Sequence, residues 1–499
     1  MSELLLGIDI GTASSKGVLT RPDGTVVLRA TREHAVSLPR PGWVEHDPET
    51  VWWADFVGLC AELLPHAHGR IAGVGVSGIG PCVAPCDAQG RPLRPAILYG
   101  VDTRAQREIS ELTELLTEDR IFERGGSTLS SQALGPKLLW LRQNEPETWE
   151  RMHRWHTASS FVVGRLTGEW VLDHQSASQC DPLYDLAASR WAEDWVELVV
   201  PGLPLPRLAW PAEVAGVVTA DAARTTGLAA GTPVVVGTID AWAEAVSVDV
   251  RRAGDVMLMY GSTMFLVAGV QERGDVRTIW TTRGVDPGSL TLAAGMATSG
   301  SLTAWFRELA GGPPYDDLVA EAKDVRAGAD GLLVLPYFAG ERTPVFDPNA
   351  RGAILGLTLR HSRAHIYRAL LEAIAYGVRH NLDAVGRSEL NRFVSVGGGT
   401  QGGLWVQIVS DVCGIAQTVP AETIGASYGD ARLAAEGVGL ASPMDVWSST
   451  AVMVEPNLDA APIYDALYEL YRDLYPATRA IAHRLAELQG AGSADFVAD

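Results

Sequence analysis

The chain has 499 residues, a formal net charge of −20 at pH 7, and 47% hydrophobic against 20% charged residues. That length exceeds what one hydrophobic core usually holds, so two large domains with a cleft between them are expected, built from a folding rather than a disordered composition. The negative excess repels nucleic acid and anionic membrane surfaces, so an anionic ligand such as a nucleotide has to be held by local donors and a metal.

The opening stretch "LLLGIDIGTASSKGVLTRPDG" reads as strand, Gly-containing turn, strand and a "PDG" turn. No basic leader precedes it and no apolar run is long enough to span a membrane, so a soluble, cytoplasmic chain is expected. The turn at Gly11, Thr12 and Ser14 turns N–H groups and hydroxyls outward, a fit for phosphate oxygens, although an ordinary hairpin would look the same. Asp9 ends the strand beside that turn, where a carboxylate suits Mg²⁺ or simply steadies the turn. Lys16 lies outside a GxxxxGK[ST] pattern, which the chain lacks, so a P-loop enzyme is disfavoured.

Trp43 and Glu45 in "PGWVEHDPETVWW", and Tyr99, Asp102 and Arg104 in "ILYGVDTRA", are the aromatic and charged types that hold polyols. An ion pair ordering a loop is the plainer reading of Asp102 and Arg104, and Trp52 and Trp53 read as core. "RIAGVGVSGIG" is a buried strand running into Ser77, Gly78 and Ile79. Cys82 and Cys86 bracket "CVAPC" without further ligands nearby, and the five cysteines read as reduced thiols of a cytosolic protein. Residues 137–144 and 145–168 read as helical or helix-rich.

"TPVVVGTIDAWAEA" runs a strand through Gly237 and sets Asp240 at the mouth of a helix. There the carboxylate either caps the helix or acts as a base at the end of a buried strand, where open α/β sheets place their ligands. An ordinary aspartate, with a pKa of about 3.9, would be ionised and ready at neutral pH. The boundary falls near residues 246–254, giving an N-terminal domain over 1–246, a C-terminal domain over 254–445 and a helical segment with a tail over 446–499.

In the second half "DVMLMYGSTMFLVAGV" repeats the opening device, with Gly261, Ser262 and Thr263 as the turn. Two such hairpins could grip one polyphosphate between domains. "SRAHIYRALLEAIAYGVRHNLDAV" reads as an amphipathic helix from a Ser cap, with Ile366, Leu370, Ile374 and Val378 on one face. "RFVSV" is a strand entering "GGGTQGG", out of register with a dinucleotide fingerprint, where Gly397, Gly398 and Gly399 permit close approach of a nucleoside or simply make a structural turn. The helices "LWVQIVSDVCG" and "YDALYELYRDLYPATRAIAHRLAEL" follow, and the alternation implies a mixed α/β sheet in each half.

Together "GIDIGTASSKG", "PGWVEHDPETVWW", "VDTRA", "KLLWLRQN", "GTIDAWAEA", "GSTMF", "GERTPVFDPNARGAILGLTL", "GGGTQ" and "GASYGDARLAA" resemble the FGGY family of carbohydrate kinases, in the family's order and over nearly the whole chain. One family signature is nearly complete from Gly352 to Glu372, with Leu370 off-pattern; another keeps Lys137, Trp140 and Asn144 without the usual small residues before the lysine. The resemblance implies α/β architecture with two ribonuclease H-like, actin-type ATPase domains, mixed sheets flanked by helices, and ATP, Mg²⁺ and a sugar meeting in the interdomain cleft. It implies Asp240 as general base, Asp9 near the metal, and Gly11, Thr12, Ser14 and the Gly261–Thr263 turn on the phosphates. Gly398, Gly399 and Gln401 would lie near the nucleoside; Ser77, Gly78, Ile79, Asp102 and Arg104 would join Asp240 at the sugar.

The departures fall in the sugar pocket. Relatives acting on xylulose usually carry Gln-Met-His where this chain has Ile79, Gly80 and Pro81, and often Asn after the catalytic Asp where Ala241 stands here. A pentulose such as D-xylulose is the expected acceptor, with another pentulose, a hexulose or a polyol as alternatives and a homodimer as a possible assembly. A sugar- and ATP-binding regulator without turnover is the reading from a different class.

Overall fold

The computed structural model describes residues 3–421, 423–448 and 450–494. Two seven-stranded sheets organise the chain. In the first, the strands Val26–Glu33, Ser14–Thr20 and Glu3–Ile10 form an antiparallel meander. Arg70–Gly78 lies parallel to Glu3–Ile10, Pro233–Val235 parallel to Arg70–Gly78, and Val214–Val217 closes the edge antiparallel. The second sheet repeats this order: the meander Leu290–Met296, Met264–Val270 and Asp255–Tyr260, the parallel Arg392–Val396 and Gln417–Pro420, and the antiparallel edge Thr450–Val454. It adds one outer strand, Trp280–Arg283. The repeated hairpin motif thus opens each of two sheets with the same strand order and directions over six strands, although the antiparallel edge strand precedes its neighbour in the first and follows it in the second. Parallel strands covered on both faces explain runs such as Leu4, Leu5 and Leu6, all buried.

The two halves meet on a pair of helices, Asp240–Ser247 and Ala426–Gly437. The second lies against the strands of the first sheet so closely that a Cβ on Gly7 would come within 1.9 Å of the Ser427 carbonyl oxygen, and one on Gly75 within 2.1 Å of the Asp430 carbonyl oxygen. A bridging core joins Leu5, Val18 and Ala72 of the first sheet to Met257, Val267 and Val394 of the second through Trp242, Ala431 and Leu433.

Four elements differ from their sequence reading, one of them the segment 446–499, where Thr450–Val454 is an edge strand of the second sheet ahead of the expected helix. The segment from Pro233 to Ile239 is not one strand: it breaks at Gly237, whose φ of 74° and whose absent Cβ, 1.9 Å from the Val76 carbonyl oxygen, let the chain step sideways before Thr238–Ile239 rejoins Arg70–Gly78. Residues 145–168 hold the short strand Arg154–His156 between the helices Pro146–Arg151 and Ala158–Thr167. The helix Arg363–Val385 starts at Ser362 as expected, yet it is buried on nearly all sides from Tyr367 to Val378. Tertiary packing wraps it: the helix Ala461–Ala494 brings Tyr464 to within 3.1 Å of Glu372, which also accepts from Arg368 Nε at 2.7 Å. No helix among the described residues is long and apolar enough to cross a membrane.

Candidate active site

Strand pairing decides what meets at the centre. Asp9 lies opposite Ser77 across the parallel pair Glu3–Ile10 and Arg70–Gly78, and Thr238 pairs with the same Ser77. Asp240 follows as the first residue of its helix, its Oδ1 accepting from the Ala241 N–H at 2.7 Å. From the second half, Asp430 on the helix Ala426–Gly437 reaches the same place: Ser77 Oγ is 2.7 Å from Asp430 Oδ2 and 3.2 Å from Asp9 Oδ1. One hydroxyl proton serves two carboxylates, and Asp430 Oδ1 is buried with no hydrogen-bond partner.

Four acids share this region with little countercharge. Burial pushes Asp9 up to about 6, against the lowering effect of Lys16, which stands across the hairpin ladder from it. Burial and then the charge of Asp9 push Asp240 up to about 8 and Glu244 up to about 7, while burial holds Asp430 well above the usual carboxylate range. Asp240 therefore differs from the ordinary aspartate expected from sequence, because its neighbours and burial disfavour a further negative charge. Asp240 and Glu244 nevertheless keep part of their surface accessible.

The two Gly turns flank their own strand ends. In the first, Gly11 N–H donates to the Ser14 carbonyl at 3.1 Å, and Thr12 Oγ1 lies 3.1 Å from the Tyr99 hydroxyl. In the second, Gly261 N–H donates to the Thr263 carbonyl at 3.2 Å, and the Gly261 and Ser262 carbonyls accept from the N–H groups of Gly300 and Ser299 at 2.9 and 3.0 Å. The triple-glycine turn divides its duties. Gly397 and Gly399 press against Tyr260 and Trp405, whereas a Cβ on Gly398 would meet nothing within 4 Å, and Gln401 is exposed.

Family models for the FGGY family of carbohydrate kinases match residues 4–247 as the N-terminal domain and 256–437 as the C-terminal domain. The chain belongs to the FGGY family of carbohydrate kinases. It is 30% identical to a xylulose kinase of Escherichia coli strain K12, over 86% of this chain and 89% of that protein. It is also 30% identical to a glycerol kinase of Nocardia farcinica, over 86% of this chain and 89% of that one. The crystal structure of a xylulose kinase from Rhodospirillum rubrum superposes with a TM-score of 0.90 at 33% identity, covering 96% of this chain and all of that one. The two sheets are accordingly the two actin-type ATPase domains of a carbohydrate kinase, a phosphotransferase that uses ATP.

Within this FGGY kinase, the residues expected at the sugar are mostly occupied. Arg104 and Asp102 form a fully buried bidentate pair, with Arg104 Nη2 at 2.7 Å from Asp102 Oδ2 and Nε at 2.9 Å from Oδ1. Asp102 also accepts from the Val44 N–H at 2.7 Å, and Arg104 lies 3.9 Å over the Trp43 ring and 2.9 Å from Glu45. Asp102 and Arg104 thus form an ion pair that orders the loop, with Arg104 Nη1 left buried and without a hydrogen-bond partner. Ser77 is taken by the carboxylates, Gly78 lies under Ala158, and Ile79 is buried. Tyr99, whose hydroxyl meets Thr12 Oγ1, feels the charge of Asp240: burial raises its pKa, as does that charge, while Arg342 from the second half favours the ionised form. Cys82 and Cys86 are buried free thiols, raised by burial, and no group of three or more His, Cys, Asp or Glu side chains poised for a metal occurs among the described residues.

Sequence reading missed Glu244 and Asp430. Glu244 stands four residues after Asp240 and so on the same helical face, a spacing that could have shown it. Asp430 lies inside the quoted "GASYGDARLAA", but its partner Ser77 is 353 positions away and no local pattern reveals that meeting.

Proposed function

We propose that this kinase transfers the γ-phosphoryl group of MgATP to a hydroxyl of a ketose, D-xylulose first, with Asp240 as general base. The observation that carries the base is the division of labour in its carboxylate: Oδ1 is held by the Ala241 N–H at 2.7 Å, which leaves Oδ2 for the acceptor hydroxyl. The hydroxyl proton passes to Oδ2 as oxygen bonds to the γ-phosphorus and the bond to the bridging oxygen breaks, releasing ADP. A carboxylate raised to about 8 is a stronger base than an ordinary one; it holds its own proton at neutral pH in the ligand-free site and has to ionise, which Lys16 favours, before it takes the acceptor's.

Mg²⁺ fits the residues present. Asp9 is a buried, under-compensated carboxylate, and the unpartnered Asp430 Oδ1 adds a second hard oxygen in the same cluster. Few protein ligands suit a cation that keeps its waters and takes phosphate oxygens. When bound it neutralises the charge of the transferring phosphoryl group. Thr12 and Ser14, with Ser262 and Thr263, would supply N–H and hydroxyl donors to the phosphates, while Gly11 and Gly261 close the two turns through their own N–H groups, and the open side of Gly398 with exposed Gln401 would take the nucleoside. We place the boundary between the sugar-side and nucleotide-side domains at residues 246–254.

The xylulose kinase relatives support the pentulose. A polyol acceptor is the second reading, favoured by the apolar Ile79, Gly80 and Pro81 segment and by the glycerol kinase relative. ADP release with MgATP over pentuloses, hexuloses and polyols tests both. The highest kcat/KM on D-xylulose is expected; a higher value on glycerol selects the polyol reading, and nucleotide binding without turnover on any acceptor selects a non-catalytic regulator.

A further inference from the structure

The two Gly turns are anchored differently. In the second half, the Gly261 carbonyl is held by a backbone donor, the Gly300 N–H at 2.9 Å. In the first, the Gly11 carbonyl faces a side chain: His34 Nε2 lies 3.1 Å away. The other ring nitrogen, Nδ1, is 2.7 Å from Asp55 Oδ2, and Ser15 Oγ donates to that same oxygen at 2.7 Å. A carbonyl oxygen can only accept, so Nε2 carries a hydrogen; an ionised Asp55 can only accept, so Nδ1 carries one as well.

We infer that His34, held as an imidazolium by Asp55, is a positioning residue that clamps the Gly11 carbonyl and so aims the Thr12 N–H at the nucleotide phosphates. This rests on the phosphate role proposed for the turn. The peptide unit joining Gly11 to Thr12 is planar and trans, so fixing its carbonyl on the protein side fixes the N–H toward the opposite side. The side chain thereby does for the first turn what a helix N-terminus does for the second, and His34 N–H donating to the Ala13 carbonyl at 3.0 Å ties its own strand to the same turn.

The surrounding charges support the ionised ring. Asp55 faces it from the helix Ala54–Leu63 and is itself held low, against burial, by its bonds to His34 and Ser15. Arg32 lies 3.5 Å from Asp55 on the far side, and Asp9 interacts with His34 from the first strand. His46 meets the ring edge-on with centroids 5.1 Å apart; its Nδ1 accepts from Trp52 Nε1, its Nε2 has no partner, and burial holds it down at about 4, so it stays neutral. Against the cost of burial, the bonds to Asp55 and Gly11 raise His34 above the ordinary histidine value. Its proton is thus kept to higher pH than in an ordinary histidine and lost as pH rises through the raised value, so the clamp weakens on the alkaline side.

The experiment compares MgADP and sugar affinities by calorimetry in the wild type and in His34→Leu, His34→Gln, Asp55→Asn and Thr12→Val, across pH 6 to 9 (a range set by the ordinary histidine pKa of about 6.5), with ¹⁵N-histidine NMR of the wild type. His34→Leu is expected to weaken MgADP roughly tenfold, the scale of one charge-assisted hydrogen bond, with sugar affinity unchanged. His34→Gln, which keeps a donor for Gly11, is expected to recover part of that loss and to abolish the alkaline fall in nucleotide affinity. The NMR signals of His34 should show both nitrogens protonated at neutral pH. A neutral ring, or full MgADP affinity in His34→Leu while Thr12→Val is weakened, overturns the clamp alone. Full affinity in both His34→Leu and Thr12→Val, the second of which keeps the N–H and removes only the hydroxyl, overturns the clamp together with the hydroxyl's share of the phosphate role.

Discussion

Asp240 answers two physical demands with its two oxygens. Oδ1 takes the N–H of Ala241 in the first turn of a helix whose N-cap is Ile239, so Asp240 is not the cap the sequence suggested, and Oδ2 remains for the proposed chemistry. Asp240→Asn keeps the shape and the acceptor oxygen but removes the base. The expected loss is roughly 10²–10⁴-fold in kcat, with MgATP affinity by calorimetry close to wild type; a kcat within a few-fold of wild type removes Asp240 from that role. The position was legible because a strand end followed by a helix start is a local pattern. Its raised pKa was not, because burial and the Asp9 charge come from other elements.

At the scale of elements, the contact between the helices Asp240–Ser247 and Ala426–Gly437 sets the geometry of the acid cluster. A Cβ on Gly429 would stand 1.8 Å from the Ala243 carbonyl oxygen, a backbone atom that has no rotamer to yield. Gly429→Ala is therefore expected to destabilise the protein by about 1–3 kcal/mol or more, the range for overpacking, measured as a shift in the urea midpoint. It should also lower kcat, since moving the helix moves Asp430 away from Ser77. An unchanged midpoint would mean that the helices separate without cost. Individual elements were largely readable from periodicity and turn residues. The break at Gly237 was not, because a positive φ between two apolar runs leaves the same letters as a continuous strand.

For the whole molecule, buried acids determine how stability responds to pH. Burial raises Asp173, Asp181, Glu341 and Asp240 to about 6, 7, 8 and 8, so the folded state holds protons that the unfolded chain releases near pH 4. Stability from these groups is full at low pH and is lost as pH rises through the folded values. His46, His156 and His380, held by burial near 4, 3 and 4, act oppositely, but only below the ordinary histidine value of about 6.5. Between about pH 6.5 and 8 the acids act without that opposition, so the thermal midpoint of the ligand-free protein is expected to fall across this window. A flat or rising midpoint in calorimetric scans would show that these carboxylates are ionised in the folded state.

The sequence by itself determined the repeated hairpin device, the alternation of strands and helices, the family to which the chain belongs, and the strand-end positions of Asp9 and Asp240. Each of these is local: turn glycines, apolar runs and caps act over a few residues and leave a readable pattern. Only the tertiary structure decided that Asp430 joins Asp9 through Ser77, that Asp102 and Arg104 satisfy one another, and that His34 reaches Gly11. Those outcomes depend on sheet order and on the close approach of two helices, which bring together groups that share no local pattern and whose charges take their values from the burial they meet there.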